Sequence, residues 1–164
     1  MKLKKTTEIS KVLIALDYDP TAEKVAEEGY SFAKRMNAEV TLLHVMADPL
    51  YYSLSGHVTV MGFAGFKKKD TDKKESENSL LIASQHFLDK SKEHLGDKDI
   101  ETLVMEGDFA KSILEAANTL KVDVIVIGTH SRKWLESIVM GSVAKEVLLK
   151  TSIPILIIPT KKQV

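Results

Sequence analysis

The stretch VIVIGTHSRKWLESIVMGSVAKEVL, residues 124–148, holds the most chemically specific spacing in the chain. Gly128 and Ser131 are separated by two residues; nine residues then intervene before the pair Gly141-Ser142. A glycine lets a phosphate or a second backbone approach closely, because no Cβ stands in the way. A glycine-serine pair that opens a helix presents N–H groups with no acceptor inside that helix. They lie at the end where the helix dipole favours negative charge. Ser142 can cap the helix or turn its hydroxyl toward a phosphate. Spacing alone leaves two readings open: an anion cradle, or two turn glycines followed by an N-cap serine.

Other chemistries find less support. The chain has no GxxxxGK[ST] loop. The first strand-to-helix turn reads DYDPTA, with no glycine, which argues against a nicotinamide dehydrogenase. The absence of cysteine removes any thiolate nucleophile or thiolate zinc site. The histidines at 44, 57, 86, 94 and 130 show no zincin spacing, so no metal enzyme is expected. His44 reads as a strand or core residue, Trp134 as a packing residue, and His130 as equally suited to function or structure. Asp17 and Asp19 fit a strand end and a helix cap, or a Mg²⁺ contact made through a bound ligand. Neither a placed general base nor a charge clamp is evident, so no catalytic residue is assigned and strong ATPase or kinase activity is not expected.

These residues need a scaffold, and 164 residues suffice for one domain with a substantial core. Lys plus Arg and Asp plus Glu each total 23, so the formal charge is zero. That balance argues against a broad surface for nucleic acid or an anionic membrane. The basic start, MKLKKTTEISK, leads into no long apolar region and is expected to be a frayed terminus rather than a signal peptide. The apolar runs are of strand length, well below the roughly 20 residues that span a bilayer. A cytoplasmic protein is expected.

The runs KVLIALD (11–17), AEVTLLHVM (38–46), DVIVIG (123–128) and IPILIIP (153–159) are nearly continuous and apolar. Strands covered by helices on both faces read this way, because neither face meets water. DIETLVMEG (99–107) alternates more. Helical patterns lie between them. Asp19-Pro20 is expected to start the first. The second places Leu80, Phe87, Leu88 and Leu95 near helical spacing and stops at Gly96. The third opens at Asp108 and buries Ile113, Leu114, Ala117 and Leu120; GSVAKEVLLK forms the last. Alternation of strand and helix predicts an α/β fold, a single Rossmann-like domain with an open parallel sheet and right-handed crossovers. In such sheets ligands sit beyond the carboxyl ends of the strands where the connections reverse. Residues 48–72 are too long for a plain connection and are expected to be a functional or loosely packed excursion.

The pattern G-x2-G-x9-G-[ST] resembles the nucleotide signature of the universal stress protein family, with Ser131 at its second glycine. VLIALD, AEVTLLHV, EGD, VDVIVIGTH and GSVAKEVLLKTSIPILIIP extend the resemblance over nearly the whole chain. It implies a five-stranded parallel sheet in the order 3-2-1-4-5, helices on both faces, and strands one and four as neighbours. It implies binding of ATP or a related adenine nucleotide, AMP or ADP, with or without Mg²⁺. By position, Asp17 would meet ribose or a metal-bridged phosphate, Ala15 would also contact the nucleotide, and Val40 would offer backbone groups to adenine. Ile127, Gly128, His130 and Ser131 would line the sugar-phosphate path, and Gly141, Ser142 and Val143 would hold phosphates. A homodimer through the last strand, between Ile153 and Ile158, also follows from the resemblance and from the exposed sheet edge. Ser131 has three possible consequences: strain on the order of 1 kcal/mol where positive φ is required, a Cβ pressed against a phosphate, or a new hydroxyl donor. The alternatives are a nucleotide-independent dimeric scaffold whose phosphate loop Ser131 blocks, and an adenylating or phosphotransfer enzyme on a related fold.

Overall fold

The computed structural model describes residues 8–17, 21–47, 73–129 and 140–160, with side chains of the third stretch from Asn78 onward. Its strands are β1 (Lys11–Leu16), β2 (Glu39–Met46), β3 (Glu101–Glu106), β4 (Val124–Gly128) and β5 (Ile155–Ile158). Its helices are α1 (Ala22–Arg35), α2 (Lys73–Leu95), α3 (Phe109–Thr119) and α4 (Ser142–Lys150). The strands form one sheet in the order β3-β2-β1-β4-β5, and every neighbouring pair is parallel. This is the expected architecture. Asp19-Pro20, residues 48–72, and His130, Ser131 and Trp134 lie outside the described residues.

Side-chain alternation along each strand creates two cores. Val12, Ile14, Leu42 and Val126 face α1 and α2, together with Val25, Ala26 and Leu88. Leu13, Leu43, Val45, Ile125 and Ile127 face α3 and α4, together with Ile113, Ala117, Ala144 and Val147. Burial on both faces explains why β1, β2 and β4 read as unbroken apolar runs. The edge strand β3 is only half-buried along its middle, consistent with its more alternating sequence. Helix α1 lies very close to the sheet at Gly29, where an added Cβ would stand 3.0 Å from both Ile14 Cδ1 and Val126 Cγ1.

Polar groups fix the ends of these elements. Asp108 caps α3, its Oδ1 accepting from Lys111 N at 2.8 Å, as its position predicts. Helix α2 ends at Gly96, whose φ of 69° suits a residue without a Cβ. Between α1 and α2, the Tyr30 hydroxyl and Lys34 Nζ both donate to Asp97 Oδ2, at 2.8 and 3.2 Å. At the amino end of the sheet, Asp123 Oδ2 accepts from Ser10 N (2.8 Å), Lys11 N (2.9 Å) and Ser10 Oγ (3.0 Å). These bonds tie the start of β1 to the start of β4. The amide of Ser10 contributes most to holding the Asp123 carboxyl below its usual range, with Lys11 N and Ser10 Oγ adding to it. Asp123→Ala is expected to lower unfolding free energy at pH 7 by about 1–2 kcal/mol, a partly exposed version of charged hydrogen bonding. Urea denaturation checks this.

Candidate functional site

The sheet parts at one place. β1 and β4 are paired at Val12–Val124, Leu13–Ile125 and Ile14–Val126, and their pairing stops there. β1 stays with β2 as far as Leu16–His44, and β4 stays with β5 as far as Gly128–Ile158. The carboxyl ends of β1 and β4 therefore separate while each keeps its outer neighbour. α1 and α2 cover one face and α3 and α4 the other, so the connections diverge at this point. That is the crevice where open α/β sheets take ligands.

Thr129 organises one wall of the crevice. Its N–H donates to Ile158 O at 3.0 Å, and its carbonyl accepts from Gly141 N at 3.3 Å. Its Oγ1 accepts from Thr160 N at 3.1 Å. The start of α4 is thus held against the end of β4. Gly141 occupies the cap position, with φ −56° and ψ 152°, and Ser142 is the first helical residue. The first internal bond of the helix runs from Lys145 N to Gly141 O. The amides of Ser142, Val143 and Ala144 precede it and have no acceptor within the helix. The first turn contains no acidic side chain to oppose an anion. With Gly141 as the cap, the serine hydroxyl is not the N-cap group, so the expected capping role of Ser142 is taken by the preceding residue.

His44 supports the other wall. Its ring is buried on the α1–α2 face and meets Phe87 edge to face, with centroids 5.5 Å apart. Nδ1 lies 2.9 Å from Leu16 O. A carbonyl only accepts, so the neutral ring carries its proton on Nδ1 and donates it. Leu16 is the residue immediately before Asp17, so this bond fixes the backbone that delivers Asp17. Burial lowers the His44 pKa to about 4, partly opposed by the Leu16 bond. His44 is therefore the core residue that its position in a strand suggests.

Most of the expected site residues lie at the carboxyl ends of β1 and β4 or at the start of α4. Asp17 is exposed just beyond β1, and Gly128 and Gly141 are half-buried on either side of Thr129. Ala15, Ile127 and Val143 belong to the α3–α4 face. Ser142 is exposed at the start of α4. Val40 does not join them. It pairs with Val12 at the amino end of β2 and is buried toward α1 and α2, so both its end and its face are wrong. Val45 occupies the corresponding place at the carboxyl end, on the same face as Ala15 and Ile127. The signal for Val45 was parity: register sets Ala15 beside Leu43, and Val45 lies two residues further along the same face. Thr129 and Thr160 were also missed. Thr129 stood inside the motif, whereas nothing local marks Thr160. His130 and Ser131 lie outside the described residues.

Fold and crevice define a single-sheet α/β protein with an anion-favouring helix start at its topological switch point. The sequence profile of the universal stress protein family matches residues 8–159, and the chain belongs to that family. Universal stress protein MJ0577 of Methanocaldococcus jannaschii is 27% identical over 154 residues, covering 92% of this chain and 95% of that one. Universal stress protein A of Escherichia coli is 28% identical over 152 residues, covering 93% and 95%. The solved structure of MJ0577 superposes with a TM-score of 0.72 at 24% identity, over 96% of this chain and all of that one. A universal stress protein solved in complex with cAMP superposes with a TM-score of 0.58 at 16% identity, over 94% of this chain and all of that one. Among the described residues, no helix is long and apolar enough to cross a membrane.

Proposed function

We propose that this chain binds ATP or a related adenine nucleotide in the crevice between β1 and β4. It acts as a dimeric regulatory module in the cytoplasm, with little or no hydrolysis. One observation carries the reading: β1 and β4 part at Ile14–Val126, and Thr129 holds the start of α4, whose first amides have no acceptor inside the helix, at the opening. Those amides and the Ser142 hydroxyl would take phosphates. Asp17 would accept from ribose hydroxyls or meet a phosphate-bound Mg²⁺. Ala15, Val45 and Ile127 would form the apolar wall beside the base. The relative solved with cAMP supports an adenine nucleotide as the ligand class. For the dimer, the support is β5. It is an edge strand whose Ile155, Leu156 and Ile157 are only partly buried, and it follows a helix ending in the exposed Leu148 and Leu149.

Heat extraction of purified protein, followed by calorimetric titration with ATP and Mg²⁺, tests the reading. The expected result is one adenine nucleotide per chain and no measurable turnover. Failure of the wild-type chain to bind, with binding restored by Ser131→Gly, would favour a scaffold whose phosphate loop is blocked. Rapid turnover with an acceptor would identify an enzyme instead.

A further inference from the structure

Glu23 and Glu27 lie four residues apart on α1, which places both carboxylates on one helical face. His94, in the last turn of α2, reaches them from the neighbouring helix. Its Nε2 lies 2.7 Å from Glu27 Oε1 and 3.3 Å from Glu23 Oε1. The three candidate donor atoms all lie within 4.8 Å of one another. We propose that Glu23, Glu27 and His94 form a surface site for a first-row divalent transition metal, zinc being the representative ion, which cross-links α1 to α2.

Geometry and donor chemistry support it. Donors around tetrahedral zinc at ~2.0–2.2 Å stand roughly 3.3 Å from one another. The Glu23–His94 separation already has that value. The Glu27–His94 pair must open by only about 0.6 Å to admit an ion bound at such lengths, and all three side chains are exposed enough to adjust. The ion would replace the proton shared by His94 and the carboxylates. Two carboxylates neutralise the dication, and the imidazole nitrogen favours zinc, nickel or copper over the oxygen-seeking Mg²⁺ and Ca²⁺. Three protein ligands leave the fourth position to water. The site belongs to the α1–α2 surface and does not depend on nucleotide binding.

The test uses the full chain, stripped of nucleotide and metal, titrated with zinc chloride alone. One zinc per chain is expected, with a rise in Tm of roughly 3 °C or more once zinc exceeds Kd about 100-fold. Magnesium chloride should give no rise. His94→Ala and Glu27→Gln should fold normally by circular dichroism and bind zinc roughly tenfold more weakly or worse. The His94 Nε2 resonance should shift with zinc in the wild-type chain. Unchanged zinc affinity in both variants would place the ion at other histidines and overturn the proposal. An equal response to magnesium, or no binding by the folded wild-type chain, would reduce the cluster to an ion pair and overturn it as well.

Discussion

Asp17→Ala is expected to weaken ATP binding by roughly 10- to 100-fold, the loss that follows removal of a hydrogen-bonding charged group from a binding site. Asp17 is exposed beyond the end of β1, on the lip of the opening between β1 and β4. The strand behind it is held by its pairing with β2 through Leu16–His44 and by the His44 bond to Leu16 O. Truncating an exposed side chain at that point leaves these supports in place. The nucleotide-free variant should therefore still unfold in one cooperative transition while affinity falls. Calorimetric titration beside thermal unfolding separates the two effects. A large drop in Tm with unchanged ATP affinity would make Asp17 a structural residue.

The second large effect is a dependence of stability on pH set by His44. In the unfolded chain this imidazole titrates at its ordinary value of 6.5, whereas in the fold burial lowers it to about 4. Between those values the unfolded chain binds the extra proton, so stability falls as pH falls. The contribution is fully present above about pH 7, declines through 6.5, and is lost as pH reaches about 4. A shift of this size corresponds to about 3 kcal/mol. His44→Phe removes the titrating group while keeping a buried ring. Unfolding free energies of both proteins, measured from pH 7 to 4.5, should show a shallower slope for the variant. Equal slopes would mean that His44 is protonated in the folded state as readily as in the unfolded one.

The legible parts of the molecule were those written in local pattern. KVLIAL and VIVIG read as strands covered on both faces, and Asp108 and Gly96 marked helix ends through chemistry confined to a few residues. Gly128, Gly141 and Ser142 stood out because their spacing is confined to a short stretch of sequence, although spacing alone left their role open. Val40 failed because a position on a strand means little until register and parity are known; these depend on pairing with β1, decided far away in the chain. Thr160 was invisible for the same reason, since its bond to Thr129 spans 31 residues. The cluster of Glu23, Glu27 and His94 was hidden more deeply. Only the packing of α2 against α1 brings His94 to Glu27, 67 residues away.

On the proposed function, nucleotide enters where β1 and β4 part, against the first amides of α4. The most direct measurement is amide chemical-shift mapping during titration of isotopically labelled protein with ATP. The largest shifts are expected at Asp17, Gly128, Thr129, Ser142 and Val143, with little change at Val40 and Asp123 at the opposite end of the sheet. Saturable shifts centred on Val40 and Asp123, with Gly128, Thr129 and Ser142 unmoved, would contradict the account.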